Sequence, residues 1–448
     1  MITLINPNIV TQKGDYFGSG IPYWPITLAY IAGLLKKHKI KYEVIDAFGK
    51  IPQQVFRNGT TIVQGLFTEE IVERVSKHSK YIIIYSGLVF SHERVLYIIN
   101  SLNENYPKKK IIVVGNIHQV VSYDISKFKK DFKKAGADKV IVGEPENQIA
   151  KLLKKKKVDV LKLMPDWSKF PLRNYWNLGY AHAPYKRKYM PILTSRGCPG
   201  KCNFCINPKI NKSKWRPRSA KKVLEEINNY IQKYKIEEIH FTDLNPVVDD
   251  SRIRKILYNC PIVNFKFATG TKLEFLHYST LYYLTKGDYL SFSPESGSKR
   301  ILKKMNKSFD FEHGIEMTKF AHLFKITTQA CFVIGYPGET DQDRKLTRKY
   351  IHKLTRAGVD EIALFIFAPI PGAKSYSKKW NYKNISDLTF SPRWRKEYKK
   401  LNKWRQQSYV LFFLWKLLYH PFSYFRIKNT KIFNTIKRAF KLWRLSRC

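Results

Sequence analysis

A short cysteine-rich stretch, residues 194–205, reads Thr-Ser-Arg-Gly-Cys-Pro-Gly-Lys-Cys-Asn-Phe-Cys. It spaces the thiols of Cys198, Cys202 and Cys205 as C-x3-C-x2-C. Iron–sulfur clusters normally take four Cys ligands, so three thiolates would leave one iron open to a small molecule. The glycines beside these cysteines let such a loop fold tightly. The spacing therefore predicts that the three cysteines hold a 4Fe-4S cluster.

The other cysteines, Cys260, Cys331 and Cys448, are scattered, and none lies in the first 197 residues. A disulfide framework would spread cysteines along the chain, so the clustering favours metal ligation in a reducing compartment. The alternative is a zinc site, which needs a fourth Cys or a His, and Cys260 or Cys331 could complete it. Because Cys331 lies in an apolar run, we expect it to be a buried small hydrophobe. Cys260 and Cys448 have no predicted role.

The cysteine-rich stretch lies in a region, residues 186–372, that alternates strand-like with helix-like segments. The strand candidates are residues 190–195, 238–242, 264–269, 289–293, 327–334 and 361–368. Six such units in succession predict a partial or complete (β/α) barrel. The cysteines would then follow the first barrel strand.

Residues 1–150 show the same alternation in five units, with strand candidates at 2–6, 42–46, 81–86, 110–115 and 139–142. This spacing predicts an open, doubly wound parallel sheet of the α/β class, in which ligands bind outside the carboxyl ends of the strands. Small or turn-forming residues occupy those ends, and they either contact a ligand or only turn the chain. They are Asn6, Ser86, Gly115, Gly143 and Glu144.

Two further segments have a character of their own. Residues 151–185 are rich in Lys and Pro and show no period, which predicts an ordered but irregular linker. Residues 373–448 contain 20 Lys and Arg against two acidic residues. In this tail an apolar run at 409–419 is followed by 432–445, with aromatic and aliphatic residues at helical spacing. Basic amphipathic helices of this kind are typical of membrane interfaces; a helical subdomain packed on the barrel is the alternative.

The whole chain of 448 residues carries a net charge of +46, from 81 Lys and Arg against 35 Asp and Glu. This excess favours a polyanionic partner, unless it reflects Lys-rich composition alone. Nucleic acid is the weaker alternative because the tail aromatics lie on helical faces rather than on a strand-borne stacking platform. Neither a secretory signal nor an apolar run of about 20 residues occurs. We therefore expect a cytoplasmic protein that associates peripherally with membranes.

The cysteine-rich stretch resembles the signature of the radical S-adenosylmethionine (SAM) superfamily, with Phe204 in the usual aromatic position before the last Cys. Three later segments resemble barrel motifs of the same superfamily. Residues 239–245, which include Asp243, are similar to the second-strand motif. Residues 293–298 resemble the fourth-strand segment, and residues 332–340 resemble the fifth-strand motif.

This resemblance implies that the open iron binds the amino and carboxylate groups of SAM, and that reduction of the cluster yields a 5'-deoxyadenosyl radical. It implies contacts with SAM from Phe204, Asp243, Glu295 and Gly335, while Glu339 is expected to cap the next helix. An electron donor such as flavodoxin or ferredoxin is also implied. No residue is assigned as a catalytic acid, base or nucleophile.

Residues 1–150 resemble the cobalamin-binding domain that precedes this barrel in one large branch of the superfamily. The matching pieces are residues 5–7, 22–35, 44–47, 115–118 and 143–146. The resemblance implies a cobalamin bound by Asn6, Ser86, Gly115, His118, Gly143 and Glu144. Asn116 and Pro145 replace the second glycine of two motifs. Because no Asp-x-His-x-x-Gly run occurs, no histidine is expected to ligate cobalt from below.

Together these features predict a cobalamin-dependent radical SAM methyltransferase acting on an unactivated carbon of a lipid or other small molecule. Ring formation or another rearrangement with the same cofactors is the alternative. Methylthiotransferases acting on transfer RNA also join an α/β domain to this barrel, but their first domain carries three further cysteines, which residues 1–197 lack. An inactive membrane scaffold is the last alternative, and the intact cysteine loop argues against it.

Overall fold

The computed structural model describes residues 1–12, 15, 19–116, 122–185, 188–260, 263–377, 380–422 and 430–445. Within them the expected fold class is confirmed: an open parallel sheet is followed by a partial (β/α) barrel and a helical tail. The predicted cobalamin contact His118 and the terminal Cys448 lie outside the described residues.

The first domain is built on strands with near-continuous aliphatic runs, as strands covered on both faces require. Its elements are β1 (Ile2–Asn6), β2 (Ile9–Gln12), α1 (Ile26–Lys37), β3 (Tyr42–Asp46), α2 (Ala47–Lys50), β4 (Val55–Asn58), β5 (Thr61–Gln64), α3 (Thr68–Glu73), β6 (Tyr81–Ser86), α4 (His92–Asn105), β7 (Lys110–Gly115), α5 (Lys129–Lys134), β8 (Lys139–Ile141) and α6 (Glu146–Leu152). Five strands pair in parallel in the order β3-β1-β6-β7-β8. The order changes direction between β1 and β6, which is where such sheets bind ligands.

A small antiparallel sheet, ordered β2-β5-β4, was not predicted from the sequence. It begins just after β1 and is held to the first domain through Asn8. The side-chain amide of Asn8 donates to the carbonyl oxygen of Leu66 (2.8 Å), and Arg94 Nε donates to Asn8 Oδ1 (2.9 Å). Each strand of this sheet has only four residues, too few for an alternating pattern to stand out.

The linker is irregular apart from the end of α6 and the short helix α7 (Leu172–Trp176). Tyr42 donates a hydrogen bond from its hydroxyl to Asp166 Oδ2 (2.8 Å), on the side of the first sheet. Trp167 Nε1 donates to the hydroxyl of Tyr230, in a barrel helix (3.0 Å). The linker therefore bonds to both domains and fixes their relative position.

The second domain is a parallel sheet curled into a partial barrel. Its elements are β9 (Tyr189–Ile192), β10 (Ser195–Arg196), α8 (Asn207–Ile210), β11 (Arg216–Pro217), α9 (Ala220–Tyr234), β12 (Glu238–Phe241), α10 (Asp250–Tyr258), β13 (Asn264–Thr271), α11 (Tyr278–Leu281), β14 (Tyr289–Glu295), α12 (Lys299–Met305), α13 (Phe311–Leu323), β15 (Thr327–Ile334), α14 (Asp341–Arg356) and β16 (Glu361–Ile366). Six strands pair in the order β9-β12-β13-β14-β15-β16. Since β9 and β16 are not paired, the barrel is open on one side.

The chain between β16 and the tail helices returns to the first domain. The backbone N–H of Asp124 donates to the carbonyl oxygen of Pro371 (2.9 Å). Further on, Gln12 Nε2 donates to the carbonyl oxygen of Ser386 (3.0 Å). This segment therefore ties the barrel to the first domain a second time, after the linker.

The first tail helix, α15 (Tyr398–Tyr419), packs along the barrel beside α14 and β16. Phe412 on its inner face is fully buried, and Lys416 Nζ donates to the carbonyl oxygen of Asp360 (2.6 Å). One face of the predicted apolar run thus belongs to the protein core. No helix in the described residues is long and apolar enough to span a bilayer.

The second tail helix, α16 (Lys431–Leu445), lies across the open side of the barrel. The Glu361 carboxylate, at the start of β16, accepts hydrogen bonds from the backbone N–H groups of Lys431 and Ile432 (both 2.9 Å). Asn434 donates to the carbonyl oxygen of Ala183, shortly before β9 (3.3 Å). The helix therefore bridges the two unpaired edges of the barrel.

One hydrophobic core is continuous across the chain. It includes Leu4 and Ile31 of the first domain, Trp167 of the linker, and Ile227 and Phe332 of the barrel. A second core on the other face of the first sheet packs against α3, α4 and α5. Because the first core crosses the domain boundary, the two domains share buried apolar surface.

Candidate active site

The cysteine loop follows β9 and lies between the two strands of a hairpin, β10 and β11. Gly197, at its entrance, has φ +81°, and a Cβ there would clash with the carbonyl oxygen of Lys214. Only glycine fits these two conditions. At the other end of the loop Asn207 donates from its side-chain amide to the carbonyl oxygen of Cys198 (2.7 Å). The loop is therefore a fixed structure rather than an open turn.

The thiols of Cys198 and Cys202 lie beside Gly200. A Cβ at Gly200 would lie 3.4 Å from Cys198 Sγ and 3.7 Å from Cys202 Sγ. Cys205 Sγ accepts a hydrogen bond from the backbone N–H of Asn207 (3.4 Å). The missing side chain of Gly200 keeps the space beside two thiols free. Three thiol donors in one loop, with this space beside them, fit a cluster held by three cysteines.

The remaining described cysteines are part of the barrel interior. Cys260 is buried in the main core. Cys331 is buried as predicted, but its neighbours are polar: its Sγ donates to Gln329 Oε1 and lies beside Ser291 Oγ (both 3.4 Å). The apolar run around Cys331 indicates that the residue is buried, but not that Gln329 of the same strand and Ser291 of the adjoining strand surround its thiol. In the described residues no three His, Cys, Asp or Glu side chains are grouped to hold a single metal ion.

Two ion pairs flank the cysteine loop. Lys307 Nζ lies 3.0 Å from Glu295 Oε1, and Lys272 Nζ lies 3.7 Å from Glu274 Oε1. The Cε atom of Lys272 would be 3.8 Å from a Cβ at Gly200. Burial alone would lower the pKa of Lys307, but the Glu295 carboxylate raises it. Two ammonium groups therefore stand beside thiols that would be anionic as cluster ligands.

Several buried polar groups near the carboxyl ends of β12 and β13 lack hydrogen-bond partners within the described chain. They are both side-chain atoms of Asn245, the hydroxyl of Thr271 and both carboxylate oxygens of Glu274. Ligands of (β/α) barrels bind at this end of the strands. Since buried polar groups are normally satisfied, these residues fit a polar cofactor. Only Asn245 fell within a motif recognised in the sequence.

The structure gives different surroundings to the predicted SAM contacts Glu295 and Asp243. Glu295 ends β14 with φ +65° and pairs with Lys307. Asp243 is fully buried, and its carboxylate accepts hydrogen bonds from Thr194 N (3.0 Å) and Ser195 Oγ (2.6 Å). Burial raises the pKa of Asp243, while these donors lower it. Asp243 thus anchors the chain that enters the cysteine loop.

Phe204 and Gly335, the other two predicted SAM contacts, lie in packed surroundings. Phe204 is partly buried against a small apolar cluster that includes Met305 and Tyr336. A Cβ at Gly335 would lie 2.5 Å from Leu401 Cδ1 in α15. Glu339, predicted to cap the next helix, instead accepts a hydrogen bond from the backbone N–H of Gly335 (2.6 Å), and Thr340 caps α14. As contacts with SAM, all four residues stay predictions.

Charged side chains join the first domain to the cysteine hairpin. Arg196 Nη2 lies 2.7 Å from Glu146 Oε1, and both side chains are about 1% exposed. Arg196 Nη1 lies 3.3 Å from Glu144 Oε1, and Arg216 also pairs with Glu144. Burial alone would lower the pKa of Arg196, but Glu146 raises it. Glu144, a predicted cobalamin contact, is thus engaged by two arginines, a pairing that no local sequence pattern indicates.

At the ligand edge of the first sheet, Asn6 and Ser86 belong to hydrogen-bond networks. Asn6 Nδ2 donates to Asp46 Oδ1 (2.7 Å), and Ser86 Oγ lies 2.7 Å from the hydroxyl of Tyr123. These two residues end β1 and β6, the strands between which the order changes direction. Both residues therefore lie at the edge where the crevice is predicted, and hydrogen bonds orient their side chains.

The two glycines predicted to contact cobalamin differ in how much room they leave. A Cβ at Gly115 would lie 3.1 Å from Ile125 Cδ1, so a side chain there would press against Ile125. Gly143 has φ +82°, and a Cβ there would meet no atom of the described chain within 4 Å. Open space beside Gly143 fits a ligand at the sheet edge. As cobalamin contacts, Asn6, Ser86 and these glycines stay predictions.

Comparison with known families decides the identity of the barrel. Residues 192–351 match the model of the Radical SAM superfamily. These residues form a radical SAM domain. Such a domain implies a 4Fe-4S cluster and SAM as cofactors, in agreement with the three-cysteine loop.

Curated relatives of this radical SAM protein match only part of its length. It is 27% identical over 223 residues to cytidylyl-2-hydroxyethylphosphonate methyltransferase of Streptomyces wedmorensis, covering 47% of this chain and 41% of that protein. It is 28% identical over 198 residues to a putative methylthiotransferase of Methanocaldococcus jannaschii, covering 40% of this chain and 42% of that protein. The match thus spans less than half the length of either relative.

A solved structure extends the likeness beyond the barrel. TsrM from Kitasatospora setae, a radical S-adenosylmethionine methyltransferase solved with cobalamin and a [4Fe-4S] cluster bound, superposes with a TM-score of 0.59 at 12% identity. The superposition covers 84% of this chain and 76% of that one. At this identity the likeness is one of fold. It includes the open sheet before the radical SAM barrel.

Proposed function

We propose that this chain is a cobalamin-dependent radical SAM methyltransferase that acts on an unactivated carbon of a lipid or other small molecule. The observation that carries the proposal is the direct connection between the cysteine hairpin and the ligand edge of the first sheet. Arg196 and Arg216 of the hairpin pair with Glu146 and Glu144, which follow β8. A sheet edge joined to the cysteine loop in this way suits a reaction in which a group passes between a cofactor in the first domain and a cofactor in the barrel.

In the barrel, the three loop cysteines would hold the cluster. When bound, the cluster and SAM supply a 5'-deoxyadenosyl radical. Lys272 and Lys307 set positive charge beside the thiolates. Asn245 and Thr271 would offer donors and acceptors without hydrogen-bond partners to the polar groups of SAM, as would Glu274, whose carboxylate makes no hydrogen bond although it lies 3.7 Å from Lys272 Nζ. The chain would thus compensate the negative charge of the thiolates and orient SAM.

In the first domain, cobalamin would lie outside the carboxyl ends of β1 and β6, where the strand order changes direction. When bound, it supplies a carrier for the methyl group. Asn6 and Ser86 are held there by Asp46 and Tyr123, so they present fixed polar atoms. Gly143 leaves space beside the same edge. TsrM, which is similar in fold, is a methyltransferase, and this supports the assignment.

Anaerobic reconstitution of the full chain tests the proposal. We expect about four irons per chain, retention of added cobalamin on gel filtration, and transfer of a labelled methyl group from SAM to cobalamin. An electron donor such as flavodoxin or ferredoxin would reduce the cluster. Cys198→Ala should lose the iron, whereas Cys260→Ala, a buried cysteine of the core, should keep it.

Each outcome of this experiment separates one part of the proposal from the rest. Full iron content in Cys198→Ala would refute the cluster site. Failure to retain any corrin would refute methyl transfer through cobalamin. Corrin retention with SAM cleavage but without methyl transfer would favour ring formation or another rearrangement.

We also propose that the chain associates peripherally with anionic membranes through α16. Ile436, Phe440 and Trp443 recur at helical spacing and are exposed, with Lys437 and Arg444 exposed beside them. Interfacial helices combine apolar and basic side chains in this way. Ile436→Gln combined with Phe440→Gln should weaken flotation with anionic vesicles. Unchanged flotation would contradict the role of α16.

A further inference from the structure

The end of the barrel opposite the cysteine loop exposes apolar side chains in successive turns. In a parallel (β/α) barrel, the turns leading from a helix into the next strand all lie at the amino-terminal end of the strands. Leu323, the last residue of α13, is 75% exposed, and Phe422, after α15, is 81% exposed. Other exposed members are Tyr258 at the end of α10, Tyr282 and Tyr283 after α11, and Phe324 after α13.

Contacts between neighbouring turns join these side chains into one surface. The ring centroids of Tyr282 and Phe324 are 5.6 Å apart. Those of His322 and His420 are 4.6 Å apart, which connects the turn after α13 to the end of α15. His420 Nε2 also lies 3.1 Å from the carbonyl oxygen of Arg356, at the end of α14.

The last turns of α15 add an aliphatic strip to this surface. Leu414, Leu417 and Leu418 are exposed and follow one another at helical spacing. Lys416, on the inner side, donates to the carbonyl oxygen of Asp360, the residue before β16. This half of α15 therefore lies at the same amino-terminal end of the strands. We call the whole surface the rim, formed by Tyr258, Tyr282, Tyr283, Leu323, Phe324, Leu414, Leu417, Leu418 and Phe422.

Exposed apolar side chains are concentrated at this end. In the described part of the barrel and α15, the large exposed apolar residues outside the rim turns and the aliphatic strip are Tyr278, Leu346, Val410 and Tyr419, of which Tyr278 and Tyr419 are only 36% exposed. Single exposed apolar residues are ordinary on protein surfaces, whereas a contiguous group with polar neighbours marks an interaction site. The rim is a contiguous apolar group of this kind.

The exposed charges among the rim turns are mainly positive. In the described part of these turns they are Lys235, Lys286, Lys325 and Arg356, against Glu237. Aromatic and aliphatic side chains that protrude between Lys and Arg suit an anionic bilayer, because the apolar groups enter the acyl boundary while the cations meet lipid phosphates. The net charge of +46 attracts the whole molecule to such a surface.

We propose that the rim is a docking surface for an anionic phospholipid bilayer. The proposal rests on the membrane association suggested for α16 and adds a second contact made by the barrel itself. With the rim against the bilayer, the cysteine loop lies at the far end of the barrel, so the cofactor site opens on the aqueous side. A lipid substrate would then have to leave the bilayer to reach the radical.

Vesicle flotation of the reconstituted holoenzyme tests the rim. The vesicles are phosphatidylcholine with about one third phosphatidylglycerol, compared with phosphatidylcholine alone. Leu323→Gln combined with Leu418→Gln should lower the partition coefficient about tenfold, without disturbing the core because both side chains are largely exposed. Leu346→Gln, an exposed leucine away from the rim, should leave binding unchanged. Wild-type binding should weaken in high salt and with phosphatidylcholine alone.

Unchanged binding of the rim variant would overturn the proposal. If the α16 variant alone loses binding, membrane association stands but the rim has no part in it. If the wild type is a dimer that the rim variant converts to a monomer, and neither binds vesicles, the occupant of the rim is a second copy of the chain. Rim-variant SAM cleavage equal to wild type, measured on the same samples, separates these outcomes from any failure of the proposed catalytic function.

Discussion

Gly335, the glycine of the fifth-strand motif, is in contact with the tail. Its φ is +71°, and a Cβ there would lie 2.5 Å from Leu401 Cδ1. We expect Gly335→Ala to lower the free energy of unfolding by about 1–3 kcal/mol, because both the left-handed backbone and the buried Leu401 oppose a methyl group. Denaturant titration of the metal-free protein measures this loss.

Gly59 offers a matched control for this prediction. It has φ +55°, but a Cβ there would meet no described atom within 4 Å, so Gly59→Ala isolates the backbone contribution. Leu401→Ala in the Gly335→Ala background should give a smaller loss than the sum of the two single substitutions. Equal losses for Gly335→Ala and Gly59→Ala would contradict a packing role for Gly335.

His92 makes the stability of the first domain depend on pH. Burial lowers the pKa of His92 from its ordinary value of 6.5 to about 4. Between these values the unfolded chain binds a proton that the folded chain does not, so stability falls as the pH is lowered. We expect a loss of about 2 kcal/mol between about pH 7 and pH 5 from this group. His92→Asn should remove that part of the pH dependence in denaturant titrations.

The exposed His78 provides the control, because His78→Asn should leave the pH dependence as in the wild type. A His92→Asn protein whose stability falls with pH as steeply as that of the wild type would contradict the assignment. His92 contacts Tyr123, which in turn contacts Ser86 (both 2.7 Å). The same measurement thus reports on the network behind the predicted cobalamin edge.

How far single residues could be predicted depended on whether their role is local. The cysteines were found because their spacing is itself the signal. Lys272 and Lys307 were assigned no role beside the loop, because Lys272 follows β13 and Lys307 follows α12, and the two approach the loop only through the tertiary fold. Asp243 lies in a recognised motif, but its hydrogen bonds hold the loop entrance. The position of Asp243 in a family motif therefore indicated that the residue matters, but not that it does so by holding the chain that enters the cysteine loop.

At the scale of elements, the hairpin β10–β11 is joined to the start of α6 by the buried pair Arg196–Glu146. Removing one partner leaves an uncompensated buried charge, which costs about 3–5 kcal/mol. We expect Arg196→Met to lower the midpoint potential of the cluster and Glu146→Gln to raise it, because the first removes a positive charge near the loop and the second a negative one. Redox titration followed by electron paramagnetic resonance measures both.

The double variant and an exposed pair control this prediction. Arg196→Met with Glu146→Gln should return the potential towards the wild-type value, because the pair is removed together. Lys110→Met breaks the more exposed pair Lys110–Asp138, which solvent screens, and should change the free energy of unfolding far less than either single substitution of the buried pair. Shifts of the same sign in both single variants would indicate a general loss of structure instead of an electrostatic effect.

The elements themselves could be predicted largely from the sequence. The aliphatic strands of the first sheet were located within a residue because continuous apolar runs bounded by turns are unambiguous in parallel sheets. The sheet β2-β5-β4 was missed because its strands are short. Ion pairs between elements, such as Arg196–Glu146, have no sequence signal.

At the scale of the whole molecule, the tail combines the two alternatives that its sequence left open. One face of α15 is buried on the barrel, and the opposite face exposes leucines. An apolar run at helical spacing does not distinguish these faces until the helix is docked. The packed half of the tail is now seen in the structure, whereas membrane contact by the exposed half stays a proposal.

The tail is therefore part of the folding unit, which gives a final prediction. Leu401 packs with Ile334 and Ile366 in one apolar cluster, and α16 begins on the Glu361 carboxylate. A chain ending at Gly372 would uncover this cluster and the open side of the barrel. We expect it to be insoluble, or to lose near-ultraviolet circular dichroism, because apolar burial supplies most of the stability of a domain.

A single substitution tests the same point without deleting the tail. Glu361→Gln removes the charge that the first N–H groups of α16 and the hydroxyl of Tyr289 share. Helix amino termini favour negative charge, so α16 should detach more often and be cut faster by trypsin at Arg438, which is buried in the folded chain. Glu397→Gln, at an exposed carboxylate before α15, should leave the cleavage rate unchanged. Equal cleavage rates for the wild type and Glu361→Gln, together with a soluble, natively packed chain ending at Gly372, would mean that the barrel folds without its tail.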